Sequence, residues 1–126
     1  MTPRGPVARI RGFVTRVMSS DEDLVAEEMA ETTIASGAQP IQSVKSRERV
    51  HLRGEIASVT LGPAGCAQGF QADLFDGTGH ITLAWMGRPH IRGVTVGTTL
   101  RVWGRAAPWG QSLVVYNPAY TIEVDA

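Results

Sequence analysis

The chain has 126 residues, with 12 Lys and Arg against 12 Asp and Glu, 43% hydrophobic and 19% charged. That length suits one domain and an appendage, and the composition sets aside whole-chain disorder, collagen-like repeats and disulfide scaffolds. A formal net charge of zero removes the simplest argument for a nucleic-acid partner, unless the zero is a cancellation between unlike parts.

It is a cancellation. Residues 1–16 form a basic arm with Arg4, Arg9, Arg11 and Arg16 and no acid, a charge of +4. Residues 17–43 read as an acidic amphipathic helix and linker. There Leu24, Val25, Ala26, Met29, Ala30 and Ile34 recur at helical spacing, and Asp21, Glu22, Asp23, Glu27, Glu28 and Glu31 give −6. Ser20 is the expected N-cap, with Asp23 in a capping-box-like position, and Gly37 followed by Pro40 ends the helix. The apolar stripe needs a surface to lie on. Residues 44–126 hold eight basic and six acidic residues, a balance of +2.

Cys66 is the single cysteine, with no partner for an internal disulfide and no second cysteine for a zinc or redox pair. Arginines interrupt any signal-like apolar run, and no stretch approaches the roughly 18 apolar residues of a membrane span. A cytoplasmic protein with a free thiol and no membrane partner is expected.

After Pro40 the period shifts from 3.6 to 2. Glu48 to Leu61 reads as a long half-buried strand, with Val50, Leu52 and Ile56 on one face and Gly54 at a bend or bulge. GPAGCAQG is a loop. Two alternating runs follow, joined by Asp76-Gly77-Thr78-Gly79 as a hairpin, with Phe70, Ala72, Leu74, Ile81, Leu83 and Trp85 pointing to the core. GRPHIRGVTVG connects to TLRVWGRAA, in which Leu100, Val102 and Gly104 face inward, APWGQ reads as a turn, and SLVVYNPAYTIEV is a last strand broken near Asn117-Pro118. Five short antiparallel strands are too few for a seven-strand sandwich and would leave one face of an open sheet bare. The fold expected is mainly β, a five-stranded, partly open Greek-key OB barrel with an N-terminal α-helix.

Several elements carry a family resemblance: VHLRGEI with its central glycine, the acidic-Gly-x-Gly turn at Asp76 to Gly79, ITLAWMG, VTVGTTLRVWG, and Asn117-Pro118. From about Ser46 to Val124 the chain resembles the OB-fold nucleic-acid-binding domains, and within them the type found in the wedge of RecG-like helicases. With its acidic helix and the run LFDGTGHITLAWMGRPHIRGV, it is also similar to small stand-alone actinobacterial OB-fold proteins. The resemblance implies a non-catalytic domain that binds single-stranded or junction DNA or RNA with little sequence preference. Its motifs are mostly glycines and turn residues, which speak to fold more firmly than to activity.

OB folds that bind single strands use strands two and three with neighbouring loops, offering aromatic platforms for bases and cations for phosphates. In this chain the period of 2 aligns Arg101, Trp103 and Arg105 on one face. Trp103 either stacks on a base or lies covered under the amino-terminal helix. Trp109 sits at the turn before the last strand. Phe75 and Met86 share the face opposite the core and so belong to one platform, while Arg53, Arg88 and Arg92 extend a basic track. Trp85 faces the core. Chemistry is poorly served: no Gly-Lys-Ser/Thr phosphate loop is present, and His51, His80, His90 and Cys66 lack metal-ligand spacing. Asp76 is explained by its turn and Asp73 by an exposed strand position. No enzyme, metal or cofactor is expected. The rival reading is a protein-protein interaction module that uses the OB groove and the acidic helix.

Overall fold

The computed structural model describes residues 8–61, 69–88 and 90–124, with helix side chains from Glu22 onward. The loop that contains Cys66 lies outside the described residues. The first element, α1, spans Ala8–Ala35. Ser20, expected at the N-cap, therefore lies inside the helix. No proline interrupts residues 8–35, and a helix once nucleated propagates readily, so a good cap residue does not by itself start one. The helix ends as its sequence requires: Gly37 adopts φ +87°, and its N–H donates to the Ile34 carbonyl at 3.2 Å.

A short 3-10 turn, Ile41–Ser43, leads to the strands. These are β1 Arg49–Leu61, β2 Phe70–Phe75, β3 His80–Trp85, β4 Thr99–Trp109, β5 Ser112–Tyr116 and β6 Ala119–Glu123. Pairing runs β1 to β2 to β3, then in parallel to β5, antiparallel to β4, and back from β4 to β1, so five strands close into a ring. β6 pairs with the first half of β4. β5 and β6 are one run along β4, in which Tyr116, Asn117 and Pro118 stand opposite two residues, Gly104 and Arg105. This is the break expected at Asn117-Pro118. Its polar groups are met by β3: the Asn117 N–H donates to the Ala84 carbonyl at 2.6 Å and its Oδ1 accepts the Met86 N–H at 2.9 Å.

β1 serves two partners in turn, β4 over Arg49 to Glu55 and β2 over Glu55 to Leu61. Gly54 sits at that handover, where an added Cβ would lie 2.6 Å from the Phe75 carbonyl oxygen. It permits the close approach of β2, while the register irregularity itself falls one step later, at Ala57 between Ile56 and Ser58. The expected inward residues are buried, from Leu52 and Ile56 on β1 through Leu74, Leu83 and Trp85 to Leu100 and Val102. Each such side chain contributes about 1.5–3 kcal/mol on burial. Ile41, Ile91 and Val94 join this core from outside the strands.

β4 is longer than expected. Ala107, Pro108 and Trp109, which read as the start of a turn, continue the strand and pair with β5. Proline is tolerated there because the pairing with β1 ends at Arg105, so no ladder bond is lost on that side. The closed ring, its long shared first strand and its strand order define an OB fold with an N-terminal helix.

α1 docks on the β2–β3 turn. Its contact is made by small residues: a Cβ on Gly77 would lie 2.5 Å from the Ala26 carbonyl oxygen and from the Ala30 nitrogen, and Thr33, fully buried, donates to the Asp76 carbonyl at 3.0 Å. Leu24, Val25 and Ile34, expected to form the buried stripe, are exposed at 44%, 56% and 65%. A backbone-to-backbone approach at a glycine excludes large side chains, so the alanine and threonine positions win the contact. Asp76 ties the joint together, its Oδ2 accepting the Ile41 N–H at 2.8 Å and its Oδ1 accepting from Thr78 and Gly79.

Candidate nucleic-acid interface

The outer face of β1 and β4 is set by register. Arg49 pairs with Arg105, His51 with Trp103, and Arg53 with Arg101, which places a ring pair between two arginine pairs. The His51 and Trp103 rings stack with centroids 5.0 Å apart and planes 2° from parallel. Partial burial, and next the charge of Arg101, hold the His51 imidazole below its usual value. It therefore stands neutral near pH 7, with Arg101 Nη1 3.3 Å from its Nε2. Trp103 remains 40% exposed, with α1 docked elsewhere, at the β2–β3 turn. The indole of Trp103 is thus open rather than covered by the helix.

The two arginine pairs differ. Glu123, on β6, accepts from Arg53 Nε at 2.8 and 3.0 Å, from Arg53 Nη2, and from Arg101 Nε at 2.9 Å. Hydrogen bonding from Arg53, with a further contribution from Arg101, outweighs burial and holds the Glu123 carboxyl below the usual carboxylate range. Arg105 instead donates to the Arg47 carbonyl at 2.8 Å and is exposed, as is Arg49.

Because β4 runs unbroken to its last residue, alternation puts Arg101, Trp103, Arg105, Ala107 and Trp109 on one outward row. Trp109 is 40% exposed and lies about 20 Å along the strand from Trp103 at ordinary strand rise. The remaining candidates do not join this row. Phe75 and Met86 fall at opposite ends of the β2–β3 hairpin, Phe75 opposite His80 beside the turn and Met86 just past Trp85. Phe75 stacks on His80 at 4.5 Å and, with Glu22, Val25 and Ala26, lines a cavity of about 460 Å³ beside α1. Alternation alone gave them a common side but not a common place. Arg88 and Arg92 are exposed on the β3–β4 connector, where the Arg92 carbonyl accepts from Tyr120 at 2.8 Å. Three residues were missed: Arg49, His51 and Glu123. The first two were visible as the outward alternation of β1, whereas nothing local marked Glu123.

The outer face of β2 and β3 is of another kind. Asp73 Oδ2 meets His80 Nδ1 at 2.6 Å, and neither strand contains Lys or Arg. Among the described residues no three His, Cys, Asp or Glu side chains gather to hold a metal ion, and no helix is long and apolar enough to cross a membrane.

Solved structures place the fold among known ones. The chain is similar to the OB domain of MM0293 from Methanosarcina mazei, at 11% identity and a TM-score of 0.57 over 70% of this chain and 84% of that one. It also resembles a chain of a replication protein A heterotrimer bound to single-stranded DNA, at 13% identity and a TM-score of 0.50 over 61% and 58%. The p204 HINb domain matches at 14% identity and a TM-score of 0.52 over 66% and 44%. At these identities the likeness is one of fold. No protein-family model and no curated protein sequence matches the chain.

Proposed function

We propose that the barrel binds single-stranded or junction nucleic acid, DNA or RNA, without catalysis and with little sequence preference. The surface is the outward row of β4 with the β1 row beside it. The observation that carries this reading is Trp103: an indole 40% exposed, held flat by His51 and set between cross-strand arginine pairs. An aromatic face stacks on any base, contributing on the order of 1–3 kcal/mol, while guanidinium groups take phosphate oxygens without reading sequence. Trp109, farther along the same row, supplies a second platform. The replication protein A chain, which shares the barrel fold, is described bound to single-stranded DNA, and that is consistent with this use of the fold. With the arginines around Arg53 partly offset by Glu123, binding should be modest and fall steeply with salt.

Titrating the protein with a poly-dT oligonucleotide at 50 and 200 mM salt, with tryptophan fluorescence as the readout, tests this. Quenching that weakens as salt rises is expected, and replacing Trp103 by Ala should cost roughly tenfold in affinity. Absence of salt-sensitive quenching would overturn the proposal.

A further inference from the structure

Arg53 and Arg101 stand directly opposite each other on β1 and β4. Two like charges at a cross-strand position repel, and the pair is held together by one carboxylate that offers both oxygens to Arg53 and one of them to Arg101. A phosphodiester presents the same chemistry, two anionic oxygens suited to a guanidinium fork. We infer that Glu123 is a placeholder for phosphate: in the free protein it occupies a two-arginine site that a backbone phosphate takes over when a strand binds. The inference rests on the nucleic-acid reading of the same face.

Three observations support it. The cluster is reachable, since the side chains of Arg53, Arg101 and Glu123 are 17%, 28% and 31% exposed. The carboxylate arrives from β6, which pairs with β4 alone, so releasing it disturbs no strand of the closed ring. Arg101 is two residues from Trp103 on one row, about 7 Å at ordinary strand rise, within reach of the backbone of a nucleotide stacked there. The other pair, Arg49 and Arg105, has no carboxylate partner among the described residues. A strand would engage that open pair first and displace Glu123 second.

The test compares wild type, Glu123→Gln, Arg101→Gln and the double variant, each titrated with a poly-dT oligonucleotide and with linear inorganic polyphosphate at 50 and 200 mM salt. Removing the carboxylate charge from beside Arg53 and Arg101 should tighten oligonucleotide binding by E123Q roughly tenfold at 50 mM salt. It should also steepen the log K against log salt slope by about 0.7–1.4. In the double variant most of that gain should disappear. A purely structural Glu123 would lower the melting temperature and leave affinity and slope unchanged for both polyanions, which overturns the inference. A gain on polyphosphate with no oligonucleotide binding by any variant keeps the placeholder and overturns the nucleic-acid reading instead. If E123Q does not fold, Glu123→Asp retracts the carboxylate while keeping its charge; a gain there supports the placeholder, and no gain overturns it.

Discussion

On the outer face of β2 and β3 the pleat presents Gln71, Asp73, Phe75, His80 and Thr82. On the outer face of β1 and β4 it presents Arg49, His51, Arg53, Arg101, Trp103 and Arg105. The first face pairs its one carboxylate with a histidine and has α1 docked at its turn. The second keeps an indole open and four arginines in two ranks. Other OB folds take single strands on the first of these surfaces. The difference teaches that one barrel carries two faces of unlike chemistry, and that side chains and the place where an appended helix lands set them apart.

The largest effect expected is on the joint at the turn of the first face. Asp76→Ala would strip the acceptor from the buried Ile41 N–H and from the turn amides of Thr78 and Gly79, at a cost of roughly 3–5 kcal/mol. A fall in Tm of more than about 10 °C should follow in thermal unfolding. Gly77→Ala should cost at least about 2 kcal/mol, because φ is +91° and the new Cβ would meet α1 backbone at 2.5 Å. If the second face is the binding surface, oligonucleotide affinity of the folded G77A protein stays at the wild-type level. An increase would mean that α1 had been covering the site.

A smaller pair of effects separates the faces directly. Trp103→Ala should weaken oligonucleotide binding about tenfold, equivalent to roughly 1–2 kcal/mol. Asp73→Asn should leave affinity unchanged and stability within about 0.5 kcal/mol, since its partner His80 has a side chain 57% exposed. The reverse ranking in the same titration would move the site to β2 and β3.

Much of this was legible in the sequence, for reasons that also mark its limit. A period of 2 reports which residues share a side of a strand, so Leu52, Leu74, Leu83 and Val102 were placed inward, and Arg101, Trp103 and Arg105 together. It is silent on which strand lies alongside. The His51–Trp103 stack depends on the long-range register of β1 with β4, and Glu123 on the path of β6 after Asn117. The helix misled for a related reason. Its large apolar residues suggested the docking side, but the partner surface is a glycine turn approached by the backbone of Ala26 and Ala30 and bonded by Thr33. Gly77 was read correctly as a turn residue, and its second role needed the helix in place.

The finest distinction between the faces is in how the second one titrates. Glu123 has its carboxyl lowered first by hydrogen bonds from Arg53, so the folded state holds fewer protons there than the unfolded chain. Its stabilisation is complete above the ordinary carboxylate value of about 4.3 and is lost as pH falls through the folded value. His51, lowered by burial and by Arg101, follows the same sign in a higher window. The neutral stack is fully favoured above about 6.5 and loses ground as pH falls below it, because the unfolded chain takes up the proton first. With Glu123 31% exposed, its step should be under about 1 kcal/mol and smaller in salt. Melting temperatures measured from pH 8 to pH 3 should therefore decline in two stages in the wild type. His51→Asn should flatten the upper stage, and E123Q should shrink the lower, to which Glu48, its carboxyl lowered by the Lys45 backbone N–H, also contributes. A lower stage that persists unchanged in E123Q would mean that Glu123 is not the carboxylate holding the arginine pair in solution.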